Sequence, residues 1–241
     1  MFQIDVDTSA LELLENPSHE DQAVEPDVDY ISITLSNKIS LFLDSVEGGE
    51  HDIDSLYDTF IRHASYSEAE VKLAETVTRG QSNNPAWIDM RKGLITASNF
   101  KRVYSRTCTL LDDPSTDISR LLAHLMGPSG GISDNVPALK WGRDREKEAV
   151  ELYTTLEGSK HKELVVKDSG LHLCRENPMF GCSPDGLATC KCTTHAEHDW
   201  LLEVKCPYTL RELHPNEAAK HHGCSFVNNS WVLDQNHPYY A

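Results

Sequence analysis

The chain reads SPDGL at residues 183–187 and LEVKCP at residues 202–207. Residues i and i+2 of a β-strand point to the same side, so Glu203 and Lys205 are expected to share one face. Asp185 is expected on a turn that precedes this strand. The alternate positions of the second stretch are apolar and are expected to anchor the strand in a core: they are Leu202, Val204 and Cys206.

An acid on a turn, followed by an acid and a lysine on one face of a strand, suits metal-dependent cleavage of a phosphodiester. The carboxylates of Asp185 and Glu203 can hold a hard Mg²⁺ or Mn²⁺ ion, because such ions prefer oxygen ligands. Lys205 beside the ion can lower the cost of forming hydroxide from bound water. The pattern therefore indicates a nuclease site.

Charge is unevenly distributed along the 241 residues, whose formal net charge is −16. Residues 1–60 contain fifteen acids and one base, Lys38, which leaves 23 acids and 21 bases for residues 61–241. The acidic excess therefore belongs to the N-terminal quarter, which could be a solvated tail or an arm that binds a protein partner. The nearly neutral remainder is compatible with binding to nucleic acid.

The sequence predicts an intracellular protein, with nucleus and cytoplasm both open. No stretch approaches the roughly 18–20 apolar residues of a membrane span, so no membrane association is expected. The first thirty residues lack the basic and apolar regions of a signal peptide. Seven cysteines without regular spacing favour free thiols in a reducing compartment.

Apolar spacing predicts helices in the middle of the chain and strands after them. Ser67 and Glu70 form a capping-box pattern ahead of a helix that runs to about Val77. Another helix is expected to begin at Thr96. Further helices are predicted at 118–125 and from 138 to about 156, and strands at 165–166, 171–174, 179–182 and 201–206.

This order of elements favours an α+β or mixed α/β fold. Residues 1–66 are predicted to be an acidic and largely disordered N-terminal region, because acids dominate their composition. Within that region, Tyr30 to Leu43 could form a strand or a short helix. Residues 67–241 are expected to form the folded domain.

Glu146 is a third acid of interest because it lies on an apolar stripe of a predicted helix. A carboxylate on such a face points inward, which is costly unless it is paired or bound to a metal. The alternative is a partly exposed glutamate beside Arg145 or Lys147. The stripe follows helical spacing and consists of Gly142, Glu146, Ala149, Val150 and Tyr153.

A candidate phosphate site is formed by Arg91 and the start of the helix at Thr96. A helix N-terminus offers unpaired N–H groups and a favourable dipole, and the Ser98 hydroxyl adds a donor. An arginine can contact phosphate through two parallel hydrogen bonds. The alternative is simple helix capping next to a surface arginine.

The stretch CKCTTHAEH at residues 190–198 could bind a structural zinc ion, although its spacing is tighter than that of usual zinc sites. The alternative is a hairpin insertion with unligated thiols. The four potential ligands are Cys190, Cys192, His195 and His198.

Other nucleophiles and bases give weaker signals. Ser183 is a poor candidate for a covalent nucleophile, because no G-x-S-x-G elbow or positioned base accompanies it. Among the C-terminal histidines, His221 and His222 are those expected to approach a cleft.

Three blocks of the sequence resemble the YqaJ-type viral recombinase domain, the family of phage lambda exonuclease within the PD-(D/E)XK nuclease superfamily. They occur in the family's order and cover most of residues 80–213. The blocks are WIDMRKGLITAS at 87–98, ALKWGRDREKEAVELY at 138–153, and CSPDGL at 182–187 together with LLEVKCPYTLREL at 201–213. The resemblance implies a restriction-endonuclease-like core with a central mixed sheet flanked by helices.

The resemblance also implies roles for individual residues. Asp185 and Glu203 would hold the divalent metal with the Val204 carbonyl, and Glu146 would complete the site directly or through water. Lys205 would orient or activate the water nucleophile. The pair Arg91 and Ser98 resembles the family's receptor for a 5′-terminal phosphate on DNA.

The implied function is a Mg²⁺- or Mn²⁺-dependent DNA exonuclease that acts on linear 5′-phosphorylated duplex ends in recombination or repair. The phage relative suggests a ring-shaped trimer. In this family a glutamine-bearing helix follows a segment like the YYA at 239–241, so the domain is expected to be incomplete at its C-terminus. Gln235 lies too early to replace that glutamine. The alternative function is a catalytically impaired domain, truncated in this way, that binds DNA ends or another protein.

Overall fold

The computed structural model describes residues 29–46, 52–127, 136–192, 199–227 and 230–234. The described chain divides into two compact units. The helical unit comprises residues 29–46, 52–127 and 168–184. The sheet unit comprises residues 136–167, 185–192, 199–227 and 230–234.

Eight α-helices and eight short strands occur in the described residues, and no described helix is both long and apolar enough to cross a membrane. The helices are α1 Leu35–Ser45, α2 Ile53–Ala64, α3 Glu68–Val77, α4 Pro85–Met90, α5 Ala97–Asp112, α6 Ser119–Met126, α7 Pro137–Gly158 and α8 Pro215–His221. The strands are β1 Ile95–Thr96, β2 Val165–Lys167, β3 His172–Leu173, β4 Phe180–Cys182, β5 Gly186–Thr189, β6 Trp200–Leu202, β7 Cys224–Val227 and β8 Ser230–Leu233.

Local sequence explains where several helices begin. The α3 capping box is present as expected: the Glu70 amide N–H donates to the Ser67 hydroxyl, and the Glu70 carboxylate accepts from the Ser67 amide at 2.7 Å. Helix α4 begins with a proline after Asn84, whose side-chain oxygen accepts from the Ala86 amide at 2.9 Å. These caps satisfy amide groups that have no partner within the helix.

The core of the helical unit joins α1, α3 and α4 to the three-stranded sheet β1-β4-β3, which pairs β1 with β4 in parallel and β3 with β4 antiparallel. Helix α3 approaches β3 closely at Gly170, where an added Cβ would lie 1.9 Å from the Glu75 carbonyl oxygen. The next amide, of Leu171, donates to the Thr78 hydroxyl at 2.6 Å. The buried cluster consists of Ile33, Leu35, Tyr66, Ala74, Met90, Leu94, Leu171 and Leu173.

The described part of residues 29–66 is folded, whereas the sequence predicted a largely disordered region up to residue 66. Helices α1 and α2 lie here, and Phe42 of α1 contacts Phe60 of α2 edge to face, with ring centroids 5.3 Å apart. Ile33 and Leu35 belong to the buried cluster. The acidic residues of α1 and α2 are exposed, whereas Leu35 and Phe42 are buried, so overall composition did not show that this segment has a buried side.

The sheet unit contains the antiparallel sheet β2-β5-β6, helix α7, and a smaller group formed by α8 and the β7–β8 hairpin. Helix α7 is fixed to β6 by a hydrogen bond from Trp200 Nε1 to the buried Tyr153 hydroxyl, at 2.7 Å. In the smaller group, Trp231 packs against a buried cluster of Ala219, Cys224 and Leu233.

The mixed α+β class is confirmed, with one difference in how the strands associate. Within the described residues, the strands form three small sheets instead of one central mixed sheet. The strand predicted at 201–206 is shorter than expected, because β6 ends at Leu202 and residues 203–206 pair with no neighbouring strand in the regular ladder.

Replacement of Leu94 by alanine should destabilise the protein, since this side chain is fully buried in the helical unit. We expect the free energy of unfolding to fall by about 2–5 kcal/mol, the usual cost of a Leu→Ala cavity. The free energy of unfolding is measured by urea denaturation. The matched control is Leu111→Ala, whose side chain is 78% exposed. Equal losses for the two variants would contradict the assigned core.

Candidate functional site

Asp185 lies where the β5–β6 ladder ends. The last backbone pair joins Gly186 to Leu202, and continuing this antiparallel register places Asp185 opposite Glu203. The Val204 amide donates to the Asp185 carboxylate at 2.6 Å, so a side chain continues the strand contact beyond the regular ladder. The hydrogen bond fixes one acid beside the segment that carries the other.

Glu203 and Lys205 lie on the same side of the chain, as the period of two predicted. Their side chains form an ion pair, and both are exposed, whereas Val204 and Cys206 between and after them are half-buried. The alternation of a strand therefore continues past the end of β6, although the regular ladder does not. This geometry presents a carboxylate and an ammonium group together.

Glu146 is brought to this cluster by helix α7. The stripe predicted for this helix is confirmed: Gly142, Glu146, Ala149 and Val150 are half-buried, and Tyr153 is buried. Two aromatic contacts flank the glutamate along the helix. Trp141 meets Tyr208 edge to face with ring centroids 6.3 Å apart, and Tyr153 accepts the hydrogen bond from Trp200. These contacts hold the helix on either side of Glu146.

The electrostatics of the cluster are those of crowded, partly desolvated acids. Burial raises the pKa of Glu146 above its usual value, and the charges of Asp185 and Glu203 raise it further, while Lys205 opposes them. Burial also raises the pKa of Asp185, as does the charge of Glu203, against the lowering effect of the Val204 amide. Ionised carboxylates held this way favour a cation between them.

The donor set fits a hard divalent ion. Three carboxylates offer oxygen ligands. The Val204 carbonyl is a further oxygen, and the amide of the same residue donates to the Asp185 carboxylate. Oxygen donors of this kind are those that Mg²⁺ and Mn²⁺ prefer. A bound cation would also relieve the repulsion that raises the pKa of the two half-buried acids.

The residues of the predicted phosphate site lie together in the helical unit. Arg91 lies at the end of α4 and donates from Nη2 to the Ser98 hydroxyl at 3.0 Å and to the Thr96 hydroxyl at 3.3 Å. The two hydroxyls lie 3.0 Å apart at the start of α5. Burial lowers the pKa of the guanidinium. A partly desolvated arginine beside two hydroxyls and a helix N-terminus is a suitable anion receptor.

Trp87, which was not among the predicted site residues, completes this group. The Arg91 guanidinium lies over its ring, with Cζ 4.1 Å from the centroid. Its indole N–H donates to the Ser183 hydroxyl at 2.9 Å. The separation of four residues between Trp87 and Arg91 on a helix was the available signal for this stacking. Ser183 therefore serves as an acceptor that positions the indole.

Two of the four predicted zinc ligands lie in the described part of the cysteine-rich insertion. Cys190 and Cys192 lie with His161, a residue that sequence reasoning missed because it is distant in the chain. His195 and His198, the two other predicted zinc ligands, lie outside the described residues. Gln235 also lies outside them. His221 is exposed at the end of α8, and His222 follows as the half-buried C-cap residue.

Several solved structures resemble the chain at low identity. The shutoff and exonuclease protein of Kaposi's sarcoma-associated herpesvirus is 23% identical, with 78% of this chain and 38% of that chain covered and a TM-score of 0.39. A SOX–DNA complex is 22% identical, with 77% and 36% covered and a TM-score of 0.41. A SOX–RNA complex from the same virus is 21% identical, with 79% and 41% covered and a TM-score of 0.39.

The chain thus spans about two fifths of the length of these solved proteins. No curated protein sequence matches it. The family profile described as the YqaJ-like viral recombinase domain matches residues 86–231, which is more than half of the chain. This range contains Arg91, Glu146, Asp185 and the Glu203–Lys205 segment. The chain belongs to the YqaJ-like viral recombinase domain family.

Proposed function

We propose that this protein is a divalent-metal-dependent DNA nuclease, and specifically an exonuclease that acts on 5′-phosphorylated duplex ends. The observation that carries the proposal is the convergence of Glu146, Asp185 and Glu203 around Lys205, from α7 and from the end of the β5–β6 ladder. Membership of the YqaJ-like family supports the same reaction class. The activity, its substrate and its metal are all part of the proposal.

The metal would be held by the side chains of Asp185 and Glu203 and by the Val204 carbonyl, with Glu146 completing the set directly or through water. When bound, a divalent ion supplies a Lewis acid that polarises a phosphoryl oxygen and lowers the pKa of a coordinated water. The hydrogen bond from the Val204 amide keeps the Asp185 carboxylate in place for this task.

Lys205 would orient the attacking water and stabilise the negative charge that develops on the phosphate oxygens. Its ion pair with Glu203 places the ammonium group beside the acidic cluster before DNA arrives. The water oxygen would bond to phosphorus and release one proton to solvent, while the P–O bond to the leaving nucleotide breaks and the leaving oxygen takes up a proton from solvent. The three-residue segment 203–205 would thus contribute a carboxylate, a backbone carbonyl and an ammonium group to the site.

The Arg91 group would bind the 5′-terminal phosphate. Its guanidinium, stacked on Trp87, is oriented before a ligand binds, so little entropy is lost when phosphate takes the place of the hydroxyl contacts. The nearly neutral charge of residues 61–241 permits a nucleic-acid partner despite the acidic N-terminal quarter. That acidic quarter remains a candidate for contact with a protein partner.

Replacement of Asp185 by asparagine tests the catalytic claim, because it removes a metal-ligating charge while keeping the shape of the side chain. With Mg²⁺ and linear 5′-phosphorylated duplex, we expect the degradation rate to fall at least about 100-fold, as for loss of one preorganised electrostatic group. The control is Asp112→Asn, an exposed aspartate at the end of α5.

Degradation by the Asp185→Asn variant at the unaltered rate would refute the nuclease proposal. Binding of the same duplex is measured in parallel by fluorescence anisotropy. If the unaltered chain binds DNA ends but never degrades them with Mg²⁺ or Mn²⁺, the protein is a DNA-end-binding domain instead of an enzyme.

Replacement of Arg91 by glutamine tests end recognition. We expect the rate on a 5′-phosphorylated duplex to fall about 10- to 100-fold, the value of a charge-assisted hydrogen bond. The rate on a 5′-hydroxyl duplex should not change, because that substrate lacks the group that Arg91 binds. Arg120→Gln, an exposed arginine of the same unit, serves as the control. Equal losses on both duplexes would contradict the assignment.

Replacement of Glu146 by glutamine should raise the thermal midpoint in EDTA at neutral pH. Because the folded state raises the pKa of Glu146, folding disfavours its ionised form, and this cost appears as pH rises above the ordinary glutamate value of about 4.3. The difference in thermal midpoint between the variant and the unaltered chain should therefore disappear below about pH 4. With saturating Mg²⁺ the unaltered chain should have the higher thermal midpoint, since the Glu146 carboxylate then has a cation beside it. Exposed Glu151→Gln is the control, and an unchanged midpoint in EDTA would contradict this account.

A further inference from the structure

His161, Cys190 and Cys192 form a cluster at the end of β5 that is remote from the acidic residues. The ligand atoms of the three side chains all lie within 4.8 Å of one another. Asp185 immediately precedes β5 and Cys190 immediately follows it. With a rise of about 3.3 Å per residue, a strand of this length separates the two positions by roughly 16 Å. This cluster is therefore distinct from the proposed nuclease centre.

Backbone hydrogen bonds bring the ligands together. The Lys191 amide donates to the Lys162 carbonyl at 2.7 Å, which joins the segment after α7 to the segment after β5. The Lys162 amide donates to Cys192 Sγ at 3.1 Å. This N–H group is directed at the sulfur atom, through which a cysteine binds a metal ion. The sulfur is thus positioned by the main chain as well as by its own side chain.

The His161 imidazole is oriented from two directions. Its Nδ1 lies 3.8 Å from Cys192 Sγ, and its Nε2 lies 4.0 Å from a carboxylate oxygen of Glu157, one turn earlier in the chain. The ring also packs against Trp200, with centroids 5.3 Å apart. The Glu157 carboxylate is beyond hydrogen-bond distance, but it lies on the Nε2 side of the ring, where metal-binding histidines usually have a carboxylate or carbonyl partner.

We propose that His161, Cys190 and Cys192 bind a structural Zn²⁺ ion. Two thiolates and an imidazole match the preference of zinc for sulfur and nitrogen, whereas Mg²⁺ and Mn²⁺ prefer the oxygen ligands of the acidic cluster. Two thiolates would neutralise the charge of the ion. Structural zinc is four-coordinate, so a fourth ligand would complete the tetrahedron around these three residues.

The ion would connect the end of α7 to the end of β5. Helix α7 carries Glu146, and β5 begins directly after Asp185, so a link between the two elements would fix the acids that they carry. The proposed role of the zinc is therefore structural, and it does not depend on whether the protein cleaves DNA.

The first test is the zinc content of the full chain, purified under reducing conditions and measured by inductively coupled plasma mass spectrometry. We expect about one equivalent of zinc per chain, lost in the Cys192→Ser variant. The control is Cys182→Ser, an exposed cysteine of the helical unit, which should keep its zinc. Replacement of zinc by Co²⁺ should give thiolate-to-cobalt charge-transfer absorption, which Cys192→Ser abolishes.

The second test examines the Glu157 carboxylate beside His161. Glu157→Gln should weaken zinc affinity about 10- to 100-fold in a chelator competition, as loss of a partner of a ligating histidine does. Lack of zinc in the reduced, folded chain would overturn the proposal, as would full retention by a Cys190→Ser/Cys192→Ser double variant. So would a Cys190–Cys192 disulfide, detected by mass spectrometry, in a chain that takes up no Co²⁺ after reduction. If Cys192→Ser does not fold, Co²⁺ titration of the unaltered chain decides.

Discussion

One hydrogen bond, from the Val204 amide to the Asp185 carboxylate, determines how the acidic cluster is built. It forms where the β5–β6 ladder stops, and it holds two chain segments that the backbone no longer pairs. Because the acceptor is a carboxylate that burial and Glu203 make harder to ionise, this donor is also a source of stability for its charge. The same hydrogen bond therefore joins the two segments and stabilises the charge of Asp185.

Much of the candidate site follows from short-range periodicity. Alternation along residues 202–206 predicted that Glu203 and Lys205 share one side, and the helical stripe predicted that Glu146 faces inward. Both rules depend only on the local geometry of a strand or a helix, so neither requires knowledge of the fold. The contact between Arg91 and the Ser98 hydroxyl was likewise predictable from the chemistry of a helix start.

Features that depend on distant parts of the chain were not predictable in this way. His161 lies 31 residues from Cys192, and only the pairing of the segments after α7 and β5 brings them together. A short helix was one of two alternatives for Tyr30 to Leu43, where α1 lies, but α2 was not predicted, since overall composition does not show which side of a helix is buried. The regular ladder ends at Leu202, and beyond it the Val204 amide donates to the Asp185 side chain instead of to a backbone carbonyl.

The aromatic residues that hold these groups in place have a further, optical consequence. The chain has four tryptophans: Trp87 stacks on Arg91, Trp141 lies on α7 before Glu146, Trp200 of β6 contacts the same helix at Tyr153, and Trp231 packs in the β7–β8 hairpin. Trp200 also contacts His161. Indole emission responds to nearby charge, so the protein carries its own fluorophores beside each group described above. Variants that keep a single tryptophan would therefore report separately on phosphate, on a hard cation and on a thiophilic one, without any attached dye.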